Sequence, residues 1–145
     1  MALFVIERTT PLPPAEAWRR LTDWQRHAAA VPLTRITVPT PPPAGAGTVV
    51  LARTGVGRLG FDDPMRITAW RPEGPERHCR LEKTGRTVTG WAEIDVSPDP
   101  HGGSGAAVRW REDLQVRGVP RALDGVTAQV GRRVFGRVVD LLLTP

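Results

Sequence analysis

The chain has 145 residues, 40% of them hydrophobic, which is enough to bury one core and fits a single domain over residues 1–145. One cysteine, Cys79, excludes a disulfide framework and a cysteine-rich zinc module, and the longest apolar runs, Leu3–Ile6 and Leu141–Leu143, are too short for a membrane-spanning helix. The net charge of +5 argues weakly for nucleic acid, because a single Lys, Lys83, stands among 20 basic residues and only Arg19-Arg20 and Arg132-Arg133 are adjacent; arginine raises the isoelectric point without forming the clustered patch that phosphate binding needs.

Taken in chain order, Leu3–Thr9 reads as a strand rich in β-branched and aromatic residues. Pro14 at a first helical position opens a helix to Leu21, with Glu16 in its first turn and Trp18 and Leu21 on one face. Asp23 is placed to cap a second short helix from Trp24 through His27 and Ala28–Ala30. The period then changes to two. Strands are expected at Leu33–Val38, Thr48–Thr54, Asp62–Trp70, Arg77–Lys83, Thr87–Val96 and Ala106–Arg117, with Gly- and Pro-rich turns between them. Gly and Pro number 15 each and punctuate these segments without forming one biased tract. Short turns make successive strands antiparallel neighbours. After Gly118-Val119-Pro120, the residues Leu123, Val126, Val130, Val134, Val138 and Leu141 form an apolar stripe on a helix of about six turns. Met1-Ala2 lacks the basic start and long apolar stretch of a signal peptide, so the expected location is the cytoplasm.

This order, together with Pro13-Pro14-Ala15-Glu16-Ala17-Trp18, Leu21-Thr22-Asp23-Trp24, Gly60-Phe61-Asp62-Asp63-Pro64-Met65 and Gly90-Trp91-Ala92-Glu93, resembles the START-like superfamily, also called SRPBCC. That superfamily includes birch-pollen allergens and polyketide cyclase/dehydrase proteins; the first-helix segment looks like that of actinobacterial members. The resemblance implies an α+β helix-grip fold. In it a curved seven-stranded antiparallel sheet wraps a long C-terminal helix, with two short helices after strand 1 and a cavity between sheet and helix. It implies binding of a hydrophobic small molecule, lipid- or polyketide-like, with polyketide cyclase/dehydratase chemistry by cavity acid/base residues as the alternative. No cofactor, metal or nucleic acid is expected, and the chain is expected to be a monomer or homodimer.

Alternation names the side chains that would serve such a cavity. In the last strand Val108, Trp110, Leu114 and Val116 share one parity, and Glu112 falls among them. A carboxylate facing a core is either paired or has a raised pKa, so Glu112 is the leading acid/base candidate or else half of a structural ion pair. Lys83 shares parity with Cys79 and Leu81 and either reaches Glu112 or a substrate oxygen or extends to water. Arg53, read with Val49 and Leu51 as inward, is a second cation, for Glu112 or for a ligand carboxylate or carbonyl. The expected ligand wall comprises Trp110, Leu114, Leu81, Leu51, Val126, Val130 and Val134.

Other features carry less. Gly55-Val56-Gly57-Arg58-Leu59-Gly60 matches a dinucleotide-binding spelling, but a strand and not a helix follows it, so it reads as a hairpin. Asp62-Asp63 point apart on an extended chain, and His27, His78 and His101 show no metal-ligand spacing. His27 is read as a surface residue or one at a cavity rim, Cys79 as a packed hydrophobe, and Trp91 as outward-facing. Tyrosine, a common cavity acid in cyclase relatives, is absent.

Overall fold

The computed structural model describes residues 2–144; Met1 and Pro145, the two ends of the expected domain, lie outside it. Seven strands form one antiparallel sheet: β1 (Ala2–Thr10), β2 (Thr34–Thr37), β3 (Val49–Val56), β4 (Leu59–Arg71), β5 (Arg77–Thr84), β6 (Val88–Pro98) and β7 (Ala106–Val116). Their spatial order is β1-β7-β6-β5-β4-β3-β2, so hairpins join β2 to β7 in sequence and β1 closes onto the last strand. Two short helices, α1 (Pro14–Leu21) and α2 (Trp24–His27), follow β1, and α3 (Asp124–Leu143) ends the chain after a 3-10 turn at Arg121–Leu123. This is the α+β helix-grip arrangement: a curled sheet holding a long helix on its concave side.

The pleat sends alternate side chains to opposite faces, and the concave face is the apolar one. Phe4 and Ile6 of β1, Val108 and Trp110 of β7, Ile94 and Val96 of β6, Cys79 and Leu81 of β5, Ile67 of β4 and Val50 of β3 are all buried there. Gly90 in β6 has a φ of +126°. A Cβ at that position would lie 1.9 Å from the Asp113 carbonyl oxygen, so only glycine lets β6 and β7 approach so closely. A register shift between Ile67 and Ala69 adds a second irregularity, and it brings Trp70 onto the same side as Ile67. Trp70 packs against Trp18 of α1, ring centroids 5.2 Å apart.

The helices settle as their sequences direct. Pro14 opens α1, and Ala17, Trp18 and Leu21 form its buried side. Glu16 accepts hydrogen bonds from Arg19 and Arg20, which hold its carboxyl down at about 2. Asp23 stands at the start of α2 as expected, but its side chain makes no capping hydrogen bond. Along α3 burial is uneven: Val138, Val139, Leu142 and Leu143 are packed, whereas Val126, Val130 and Leu141 are exposed. Leu141 thus leaves the expected stripe, because the C-terminal turns present Leu142 and Leu143 to the core instead. Phe135 anchors the middle of α3, stacked on Phe4 at 5.8 Å and Trp110 at 5.5 Å.

The glycine-rich segment is a hairpin, as read from the sequence. Val56 pairs with Leu59, leaving Gly57 and Arg58 as the turn, with Gly57 at φ +58°. β4 therefore starts three residues before the expected Asp62.

Candidate functional site

Where the first half of α3 stands away from the sheet, a cavity of about 680 Å³ remains. Its walls come from β2 to β7, α2 and α3, and they are mostly aliphatic and aromatic. Leu81, Trp110, Leu114, Val126, Val130 and Val134 all line it. Val126 and Val130 are 58% and 55% exposed although they border this space, so the cavity is open beside the first turns of α3.

Three charged side chains interrupt the apolar wall: Asp63, Lys83 and Glu112. Each arrives by strand alternation. Glu112 continues the Val108–Trp110–Leu114 face of β7, Lys83 continues Cys79–Leu81 on β5, and Asp63 shares the Met65–Ile67 face of β4. The Lys83 ammonium donates to Asp63 Oδ2 at 2.8 Å, lies 3.3 Å from Glu112 Oε1 and touches the Met65 sulfur at 3.7 Å. Those three neighbours use its three N–H groups. The side chains of Lys83 and Glu112 are only 3% and 2% exposed. Glu112 also accepts a long hydrogen bond, 3.4 Å, from the Trp110 indole N–H.

Burial works against the Lys83 ammonium, but the Glu112 and Asp63 carboxylates outweigh it, and Lys83 is held above its ordinary 10.5. Burial likewise pushes Glu112 above its ordinary 4.5, against the pull of Lys83. The cluster therefore keeps its proton on Lys83 and holds a further proton on Glu112 more readily than a surface glutamate would. Asp63 Oδ1 is buried without a hydrogen-bond partner.

α2 adds His27 and Trp24. His27 is 7% exposed and lies between the rings of Trp24 and Trp110, at 5.5 and 5.7 Å. Its Nε2 sits 2.8 Å from the Leu21 carbonyl oxygen, so Nε2 carries the proton and donates. Burial lowers its pKa below the ordinary 6.5, and the ring is neutral. The surface reading of His27 is thus corrected: a four-residue helix shows no periodicity from which burial by Trp24 and Trp110 can be read. The Trp24 indole N–H is buried and, like Asp63 Oδ1, lacks a partner.

Two expected site residues face the other way. Arg53 is exposed on the convex side and pairs with Asp62 at 3.0 Å; Leu51 shares that face, while Val50, Ala52 and Thr54 point inward. The run Val49-Val50-Leu51-Ala52 is apolar throughout and offers no alternation to settle the parity. Lys83, allowed either direction by the sequence, turns inward. Asp63 is the cluster member that the pattern left out, although its separation from Asp62 across the pleat was expected. Cys79 is fully buried, and burial pushes its thiol up to about 12, so it is a packed hydrophobe.

The convex face is a lattice of ion pairs. Glu93 bridges Arg80 and Arg111, Arg80 also meets Glu82 at 2.7 Å, and the Arg80 guanidinium lies 4.5 Å over the outward Trp91 ring. Potential ligand atoms of His78, Glu93 and Asp95 lie within 4.8 Å of one another, a grouping that sequence spacing did not suggest. The two arginines on Glu93 oppose a cation there. An open groove of about 680 Å³ is lined by Arg71, Arg77, Arg109, Arg111 and several acidic residues, with only Val96, Pro100, Ala107 and Val108 as apolar members. The concave cavity is the better candidate site. Among the described residues no helix is long and apolar enough to cross a membrane.

A helix-grip sheet with an apolar hollow and a small ionisable cluster in its wall defines a class of proteins built around hydrophobic ligands. The chain belongs to the polyketide cyclase / dehydrase and lipid transport family, an SRPBCC-type family whose model matches residues 1–143. Solved structures share the fold at low identity. Ara h 8.0201 has a TM-score of 0.65 and 15% identity, with 99% of this chain and 98% of that one covered. The protein TTHA0849 from Thermus thermophilus has a TM-score of 0.67 and 15% identity, covering 97% and 91%. A point mutant of Thalictrum flavum norcoclaurine synthase, solved with a transition-state analogue, has a TM-score of 0.67 and 12% identity, covering 97% and 91%. No curated protein matches the chain in sequence.

Proposed function

We propose that this protein binds a hydrophobic small molecule, lipid- or polyketide-like, in the cavity between the sheet and α3. The observation that carries the reading is the combination of about 680 Å³ of apolar space with an opening beside Val126 and Val130. Burial of an apolar guest there is favoured by roughly 25 cal/mol for each Å² removed from water. Trp110, Leu81, Leu114 and Val134 supply the contact surface, and Trp110 supplies an optical signal.

The test is titration with N-phenyl-1-naphthylamine, an uncharged probe that brightens on leaving water. We expect saturable one-to-one binding, weakened at least tenfold in Ala92→Phe, because Ala92 is buried in the cavity wall beside Glu112. Wild-type protein that fails to bind, or a folded Ala92→Phe variant with unchanged affinity, overturns the reading.

A second reading, cyclase- or dehydratase-type chemistry, is favoured by one observation: the buried Glu112 carboxyl has its proton affinity raised next to Lys83. Glu112 would shuttle the proton, and Lys83, its N–H groups occupied, would set how tightly Glu112 holds it. Arg53 has no part in this version, since it lies on the far face. Glu112→Gln should then abolish turnover and leave probe binding within about threefold.

A further inference from the structure

We infer that the cavity selects guests whose buried polar group is a hydrogen-bond donor, a hydroxyl first of all, and rejects carboxylates. The inference rests on the cavity being the ligand site and concerns which chemistry it admits. Among the described residues Lys83 is the only Lys or Arg in the wall, and its three N–H groups are already directed to Asp63, Glu112 and Met65. His27 adds no positive charge: its Nε2 proton is given to the Leu21 carbonyl and the buried ring is neutral. A carboxylate entering this space finds no cation free to pair with it.

The surplus at the wall has the opposite sign. Two carboxylates stand against one ammonium, and Asp63 Oδ1 is buried with its acceptor capacity unmet. An entering anion would lie against that negative excess after losing its hydration. The unpartnered Trp24 indole offers one neutral donor, too little to replace the water shell of an anion. A hydroxyl suits such a wall better than an anion does, since it is uncharged and can donate to a carboxylate.

Three probes with one ring system test this by equilibrium dialysis against the unmodified full chain near neutral pH: naphthalene, 2-naphthol and 2-naphthoate. We expect 2-naphthol to bind tightest, naphthalene next and 2-naphthoate weakest, each step at least threefold. Any other order, or smaller steps, overturns the inference; if naphthalene still binds, the cavity reading survives that result. Failure of all three probes to bind overturns both. Asp63→Asn should shrink the naphthol-to-naphthoate ratio at least threefold, and an unchanged ratio in a folded variant overturns the role given to Asp63. Should that variant not fold, the series on unmodified protein still decides.

Discussion

Lys83→Met tests the charged cluster most directly, because methionine keeps the length and apolar stem of lysine and removes only the ammonium. At 3.3 Å and an effective dielectric of about 20, the Lys83–Glu112 attraction is about 5 kcal/mol, and the Asp63 partner at 2.8 Å gives about 6. Most of this is offset in the native protein by the cost of burying the ions, several kcal/mol each. The substitution leaves that cost in place for two carboxylates and takes the attraction away. A loss of about 3–5 kcal/mol in unfolding free energy is therefore expected near pH 7.

Urea denaturation followed by tryptophan fluorescence measures it, and a double-mutant cycle with Glu112→Gln isolates the pair. Glu112→Gln alone should cost about 1–2 kcal/mol, since the amide can still accept from Trp110 and Lys83. The double variant should recover at least about 1 kcal/mol of the Lys83→Met loss. The sign of the pH dependence follows from which state binds protons. Without Lys83 the pull that opposes burial is gone and folded Glu112 titrates still further above its unfolded value, so stability is retained below about pH 4 and falls as pH rises through the folded pKa. The penalty of Lys83→Met is thus small near pH 4 and full near pH 7. A loss under about 1 kcal/mol at neutral pH, or no coupling in the cycle, would refute the account of a buried, mutually dependent cluster.

The remaining predictions are shorter. Because His27 titrates below its ordinary 6.5 when folded, the unfolded chain binds more protons as pH falls below that value, and native stability is lost on the way down. His27→Gln keeps a donor for the Leu21 carbonyl and should show a smaller fall in Tm between pH 7 and pH 5 than wild type. Gly125→Ala, which meets nothing within 4 Å, should raise stability by up to about 1 kcal/mol, whereas Gly131→Ala drives a methyl to 2.5 Å from the buried Phe4 ring and should lower it by about 1–2 kcal/mol. Arg53→Ala, on the convex face, should leave N-phenyl-1-naphthylamine affinity within twofold of wild type; a tenfold loss would restore Arg53 to the cavity.

How much of this was legible in the sequence depended on whether polar residues marked the pleat. On β7 the arginines and acids between Val108, Trp110 and Leu114 identify the inner face, and Glu112 falls on it without further information. On β5 the same holds for Cys79 and Leu81, whereas the long stem of Lys83, on their parity, left both an inward and a solvent-bound outcome open. On β3 the four apolar residues at its start erase the marking, and parity alone puts Arg53 and Leu51 on the wrong side. A usable signal lay in the neighbouring hairpin: a two-residue turn at Gly57-Arg58 sets Arg53 opposite Asp62 and Ala52 opposite Asp63. An outward ion pair and an inward Asp63 follow from that register. Nothing local, by contrast, signals the shift between Ile67 and Ala69 that turns Trp70 inward, because a bulge is settled by what packs across the sheet.

The uneven burial of α3 connects the fold to the proposed site. Its sequence offers one apolar stripe, yet only the C-terminal half finds partners, with Val138, Val139, Leu142 and Leu143 packed and Phe135 stacked on Phe4 and Trp110. In the first half Val126 and Val130 keep the same spacing but line the hollow and stay more than half exposed. An apolar stripe that continues past the point where the core stops has no folding role over that length, and leaving it wet costs the stabilisation its burial would bring. A guest in the cavity covers those valines and recovers that free energy. By linkage, binding should protect the first turns of α3 more than the last ones. Amide exchange at Val126 and Val130 should slow when a guest is bound, while exchange at Val138 and Val139, already covered by the protein, should change little.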